Sequence, residues 1–143
     1  METLITEAEL ASRLRLAVTR LSRRLRTQLP GELSPSQLST LSTVERMGPI
    51  TLGELSAAER VKPPTMTKIV AALEDLGFVS RTVDPSDRRV ARVEATDEGR
   101  RFVDGTRRSK DAYLARRLRD LDPADRASLE RAAEILERLL EGE

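Results

Sequence analysis

Two prolines and a glycine bracket the stretch that most limits what this chain can fold into. Pro63-Pro64 fits only the first turn of a helix, where the missing N–H groups have no partner to lose, and Gly77 suits the left-handed residue that closes one. Between them Met66, Ile69, Val70, Leu73 and Leu76 recur at helical spacing and predict one apolar face. At about 100° per residue the opposite face carries Pro64, Thr67, Lys68 and Ala71, and the acids Glu74 and Asp75 come only near its end. Upstream, Thr51 to Glu59 reads as a shorter helix with Leu52 and Leu55 turned inward. Thr51 is its cap and Glu54 the reciprocal member of a capping box. Arg60-Val61-Lys62 is the turn between the two helices. Downstream, Phe78–Val83 and Val90–Glu94 read as strands joined by the charged tip Asp84-Pro-Ser-Asp-Arg-Arg89.

A helix that is small, hydroxylated and basic in its first two turns suits entry into a DNA major groove, N-terminus first. Thr67 and Lys68 are the expected groove contacts, since lysine can donate to guanine, and Ala71 can meet a thymine methyl. Thr65 serves either as a first-turn cap or as a phosphate contact. No Arg, Asn or Gln occurs between residues 61 and 80, so the helix is thin in bidentate readers. Selectivity should then lean on Arg88 and Arg89, on DNA shape and on half-site spacing. A hairpin tipped with arginines suits the minor groove. On a two-residue strand period Arg88 and Arg89 point to opposite faces, so one reads the groove while the other pairs with an acid or phosphate; spacing leaves open which. Asp84 and Asp87 are expected to form the turn and to position Arg88 or Arg89. Ser36, Gln37 and Thr51 near helix starts, with Lys62, are expected phosphate contacts.

Composition narrows the classes of function. The 143-residue chain has no histidine and no cysteine, which removes the commonest general base, thiolate chemistry and the commonest metal ligands. Its lysines, Lys62, Lys68 and Lys110, fall on faces that read as exposed, and no catalytic constellation emerges; neither a metal nor a resident cofactor is expected. With two Phe, one Tyr and no Trp the core must be aliphatic. No apolar run approaches the roughly 20 residues of a membrane helix, and no export signal opens the chain, so the expected location is the cytoplasm. A net charge of +1 conceals an uneven distribution: residues 11–29 hold six arginines and no acid, whereas residues 123–143 hold three arginines against six acids. Positive charge collected on one face is enough for DNA binding.

The flanking segments read as helices. Residues 4–29 carry Leu14, Val18, Leu21 and Leu25 at alternating spacings of four and three, a helix-packing seam that Leu29-Pro30-Gly31 stops. Ser34-Pro35-Ser36-Gln37 opens a helix with a cap, a first-turn proline and a capping-box glutamine; Leu38, Leu41 and Val44 form its buried stripe, and Ile50 after it suits a very short strand. Thr96-Asp97-Glu98 starts a helix of roughly 24 residues, about twice the usual length. Asp122-Pro123 starts the last helix, whose seam is Leu129, Ala132, Ala133, Leu136 and Leu140. The two terminal seams have nothing between them large enough to cover both. They predict a homodimer with interface residues Leu14, Val18, Leu21, Leu129, Leu136 and Leu140.

Several motifs also carry a resemblance. Leu52-Gly53-Glu54-Leu55, Pro63-Pro64-Thr65-Met66-Thr67 and Leu73-Glu74-Asp75-Leu76-Gly77-Phe78-Val79 occur in order. After them come Arg81-x-x-Asp84-x-x-Asp87-Arg88-Arg89 and Thr96-Asp97-Glu98-Gly99. Together they resemble the MarR (multiple-antibiotic-resistance regulator) family of winged helix-turn-helix proteins. The expected fold class is mainly α with a small β wing: a winged unit over residues 33–95, and a helical dimerisation region from residues 1–30 and 96–143. The resemblance implies a sequence-specific regulator, a homodimeric repressor on a pseudo-palindromic duplex. It also implies control by a small aromatic acid in a cleft between helical region and winged unit, with Arg15, Leu38, Leu41 and Tyr113 as candidate lining. A winged helix serving only as a protein–protein module is the alternative class.

Overall fold

The computed structural model describes residues 4–28 and 33–142 of the chain, and the helix stop read at Leu29-Pro30-Gly31 lies outside them. Helix α1 spans Glu7–Arg26, α2 Pro35–Met47, α3 Leu52–Glu59, α4 Pro63–Asp75, α5 Asp97–Arg119 and α6 Pro123–Leu140. Strands β1 (Ile50–Thr51), β2 (Val79–Val83) and β3 (Ala91–Ala95) form an antiparallel sheet in the order β1-β3-β2. This is the expected mainly helical fold with a small β wing. No helix among the described residues is long and apolar enough to cross a membrane.

Local chemistry explains most of the boundaries. Ser34 and Gln37 make the expected capping box, and Thr96 and Asp122 cap α5 and α6. The first helix starts later than expected, at Glu7, because Thr6 and Glu9 form a capping box that the sequence reading passed over. At α3 only half of the expected box is made. Thr51 Oγ1 accepts from the Glu54 amide at 3.1 Å, but Glu54 does not reach back and stays exposed.

Gly77 closes α4 as expected, with φ +79°. Its amide donates to Glu74 O at 3.0 Å and the Phe78 amide to Leu73 O at 3.0 Å, the two bonds of a Schellman cap. Phe78 is therefore part of the helix end, and β2 begins one residue later than expected. Val90 likewise belongs to the closing turn, its amide on Asp87 O and its carbonyl accepting from the Asp84 amide, so β3 begins at Ala91.

The core lies between α2, α3, α4, the sheet and the start of α5. Leu41, Val44, Ile50, Leu55, Met66, Val70, Leu73, Val79, Val93 and Val103 are almost wholly buried there, and the rings of Phe78 and Phe102 pack at 4.8 Å. Leu76, assigned to the apolar face of α4, is instead exposed at the C-terminal end of that helix. Neither α1 nor α6 has a single buried residue. On the predicted seams, exposure runs from 39% at Leu14 through Val18, Leu21 and Leu129 to 68% at Leu140; Leu136 is half-buried.

The long helix is joined to the winged unit by backbone contact. The Thr96 amide donates to Phe78 O at 3.0 Å, Thr96 Oγ1 donates to Gly77 O at 2.6 Å, and the Gly99 amide donates to Thr96 Oγ1 at 3.1 Å. A Cβ on Gly99 would collide with the Phe78 carbonyl oxygen, so only glycine lets α5 sit this close. Further along, Arg107 Nη2 donates to Glu45 Oε2 at 3.1 Å and ties α5 to α2. Replacing Gly99 with alanine should lower the free energy of unfolding by about 1–3 kcal/mol, the usual cost of overpacking. A urea midpoint equal to that of the wild type would show that α5 does not abut Phe78.

Candidate nucleic-acid interface

Every residue assigned to the outer face of α4 is where the sequence put it. Pro64, Thr65, Thr67, Lys68 and Ala71 are exposed, while Met66, Val70 and Leu73 on the other side are buried. Lys62 is the N-cap and makes no side-chain capping bond, so Thr65 is not the cap and its hydroxyl stays available. With no acid in its first turn, α4 presents the positive end of its dipole; Pro63 and Pro64 carry no N–H and the Met66 amide donates to Lys62 O at 3.0 Å, so Thr65 supplies the free amide of that turn. Thr67 Oγ1 donates to Pro63 O at 2.9 Å. Its proton is thus spent on the backbone, and it faces outward as a hydrogen-bond acceptor beside a methyl group. Glu74, the first acid on α4, is neutralised from the wing by Arg81 Nε at 3.5 Å.

The expected phosphate contacts sit at the starts of three helices. Ser36 is exposed in the first turn of α2, Thr51 caps α3 and Lys62 caps α4. Gln37 is partly committed, since its Oε1 accepts from the Ser34 amide at 3.0 Å and only its NH₂ remains free.

At the hairpin tip the two aspartates do different work. Asp87 holds Arg89: its Oδ1 accepts from the Arg89 amide and Nε, both at 3.1 Å, and its Oδ2 from Nη2 at 3.3 Å. Asp84 positions neither tip arginine. Its Oδ1 accepts from the Ser86 amide at 2.8 Å and Ser86 Oγ at 2.6 Å, and its Oδ2 from Arg92 Nη1 at 2.6 Å. Arg88 is exposed and makes no hydrogen bond or ion pair among the described residues. The sequence reading missed Arg92 and the Arg81–Glu74 link. The Asp84–Arg92 contact follows from the strand register, with Thr82 opposite Arg92, and the Arg81–Glu74 link from the turn at Gly77 that folds β2 back along the end of α4; spacing alone supplied neither.

Those contacts shift both carboxyl groups. Hydrogen bonds from the Ser86 side chain, Arg92 and the Ser86 amide hold Asp84 far below the usual carboxylate range, and Arg89 lowers Asp87.

The four residues proposed to line a ligand cleft are not brought together. A cleft of about 630 Å³ does open where the helical arm meets the winged unit, lined by Leu25 and Arg26 of α1, Leu38, Ser39 and Thr43 of α2, Glu59 and Arg60 at the end of α3, and Lys110 of α5. Leu38 alone of the four lies in it. Leu41 is fully buried in the core, and Tyr113 borders a separate hollow with Arg20, Arg24 and Arg117, the last 5.1 Å above its ring. Arg15 lines neither hollow: along α1 it lies about 10 Å from Ser22 of the first and about 7.5 Å from Arg20 of the second, at about 1.5 Å per residue.

Known proteins share the sequence and the fold of this chain. The model of the MarR family matches residues 33–91. An HTH-type transcriptional regulator of Mycobacterium tuberculosis is 42% identical over 137 residues, covering 95% of this chain and 96% of the relative. The crystal structure of a transcriptional regulator protein from Pseudomonas aeruginosa superposes with a TM-score of 0.84 at 35% identity, over 99% of this chain and 100% of that one. The fold is also that of FabT from Streptococcus pneumoniae, crystallised in complex with DNA, with a TM-score of 0.66 at 19% identity over 92% of this chain and 97% of FabT.

Because the folded values of Asp84 and Asp87 are lowered, their ionised forms favour the ordered hairpin above the ordinary aspartate value of about 3.9, and this is lost as pH falls through the folded values. In a carboxyl-carbon NMR titration, Asp84 should remain ionised well below pH about 3.9. A midpoint at the ordinary value would show that the Ser86 and Arg92 bonds do not form in solution.

Proposed function

This chain belongs to the MarR family of DNA-binding helix-turn-helix transcriptional regulators, and from that premise we propose that it acts as a homodimeric, ligand-responsive repressor on a pseudo-palindromic operator. The observation that carries this reading is the juxtaposition on one winged unit of an acid-free, exposed α4 N-terminus and an unpartnered Arg88 at the hairpin tip. Each α4 enters a major groove, with Thr67 and Lys68 at the base edges and Ala71 toward a thymine methyl. Lys62, Ser36, Thr51 and the Gln37 amide group hold phosphates on either side. Arg88 is the wing residue that enters the minor groove, while Asp87 fixes Arg89 as a phosphate contact at the groove edge. The proposed setting is the cytoplasm.

Duplication of the unit rests on the terminal helices. The apolar side chains of Leu14, Val18, Leu21, Leu129, Leu136 and Leu140 lie on two helices with no buried residue, and a second copy of the chain would cover them. Pairing places two α4 helices on the same duplex with half-site centres about one helical turn, roughly 10–10.5 bp, apart. The effector is a small aromatic acid in the cleft that carries Arg26, Arg46, Arg60 and Lys110.

Substituting both Arg88 and Arg89 with alanine should weaken duplex binding and flatten the slope of log K against log salt by about 0.9 for each phosphate that is no longer neutralised. An unchanged slope would remove the wing from the interface. A Leu14→Asp, Leu129→Asp double variant should sediment as a monomer and lose its preference for paired half-sites. Sedimentation of the wild-type chain as a monomer would overturn the homodimer.

A further inference from the structure

The cleft contains an acid of its own. Glu59, at the last position of α3, reaches across to α2: Ser39 Oγ donates to its Oε2 at 2.7 Å, and Thr43 Oγ1 donates to its Oε1. Ser39 and Thr43 are one turn apart on α2, so the carboxylate bridges two successive hydroxyls and clips the end of α3 to the side of α2. Ser39, Thr43 and Glu59 all line the cleft. Around them stand Arg26, Arg46, Arg60 and Lys110, none of whose side chains makes an ion pair or hydrogen bond among the described residues.

Little else polar holds this joint. The hydroxyls of Thr40 on α2 and Ser56 on α3 are buried without a hydrogen-bond partner, so the interface already leaves polar atoms unsatisfied. The next residue along the chain, Arg60, is the non-glycine residue held in the left-handed region, at φ +54°, a conformation that costs about 1 kcal/mol or more and persists only where its surroundings impose it. Three residues later α4 begins. Behind α2, the Arg107–Glu45 pair anchors it to α5. The joint is therefore a clip between an anchored helix and the pair α3–α4 that carries the DNA-reading face.

We propose that Glu59 is the positioning residue through which the cleft is read: a ligand carboxylate entering the cleft takes the hydroxyls of Ser39 and Thr43, displaces Glu59 and loosens the end of α3 and the turn into α4 against α2, while the shared apolar core stays packed. The exchange balances in hydrogen bonds, since one carboxylate replaces another on the same two donors. It is favoured by four cations with no other anion among the described lining; repulsion between the two carboxylates opposes entry but, once the ligand is seated among those cations, moves Glu59 off the two hydroxyls. The ligand class is a monocarboxylate, the effect is release from DNA, and this inference rests on the effector cleft proposed above.

Benzoate serves as the probe carboxylate, with duplex affinity and amide hydrogen exchange over residues 55–62 as readouts. In the wild-type chain benzoate should weaken duplex binding and lower that protection. Glu59→Ala and the double variant Ser39→Ala, Thr43→Val open the clip from opposite sides. Each should bind duplex about tenfold or more weakly without benzoate, the usual loss of hydrogen bonds to a charged group, and benzoate should add nothing. Glu59→Gln, which retains one acceptor and the shape of the side chain, should recover most of the affinity lost in Glu59→Ala. Thermal unfolding checks that every variant is folded. Wild-type affinity in the two clip variants overturns the inference, as does a benzoate effect that survives undiminished in both, in which case the effector cleft itself stands. Benzoate without effect on the wild-type chain overturns the effector cleft and this inference together.

Discussion

The first turn of α5 lies directly on the backbone of the α4–β2 junction, and the architecture depends on that contact. Thr96 bonds to Gly77 O and Phe78 O at once, and Gly99 has no side chain to hold the two segments apart. The junction is the Schellman end of α4, so the direction of the arm and the end of α4 are set by the same few atoms. Phe78 and Phe102 pack their rings beside it, and Val103 closes the core one turn further on. A rigid seat of this kind lets a helix of 23 residues project from a small domain without a linker.

The winged unit is complete in a sense that the rest of the chain is not. Its aliphatic core draws on α2, α3, α4, all three strands and α5, and needs nothing from α1 or α6. The terminal helices are well capped and amphipathic, yet their leucines and valines meet water in a single chain. Burial stabilises an amphipathic helix more than intrinsic propensity does, so each of these helices asks for a surface that the chain itself lacks.

Charge in the interface is organised by short bonds. Three acids near α4 and the hairpin tip are occupied: Glu74 by Arg81, Asp84 by Arg92 and Ser86, Asp87 by Arg89. Such pairs on an exposed surface contribute little to stability, but they remove repulsion toward a phosphate backbone and leave Arg88 and Lys68 as the uncommitted cations of tip and helix. In a chain with a net charge of +1, Arg88 and Lys68 thus stand without a paired acid, while Asp75 and Glu54 stay exposed and unpaired among the described residues.

Taken alone, the sequence determined what repeats or ends locally. The apolar face of α4, the caps at Ser34, Thr51 and Thr96, the stop at Gly77 and the short strand at Ile50 are all signals read within a turn or two, and MarR-like motifs in the right order fixed the class. The exposed set Pro64, Thr65, Thr67, Lys68 and Ala71 followed from periodicity alone, because a helix that buries its apolar face leaves the opposite face to solvent. Tertiary structure decided the pairings. That Asp84 would take Arg92 and leave Arg88 without a partner depends on hairpin register, and that Leu41 would point into the core while Leu38 borders a cleft depends on which neighbours surround α2. Glu59 meeting Ser39, and Arg107 meeting Glu45, join residues 20 and 62 positions apart. Periodicity and capping are properties of a single helix and can be read along the chain; a contact between distant segments exists only once the chain has been folded back on itself.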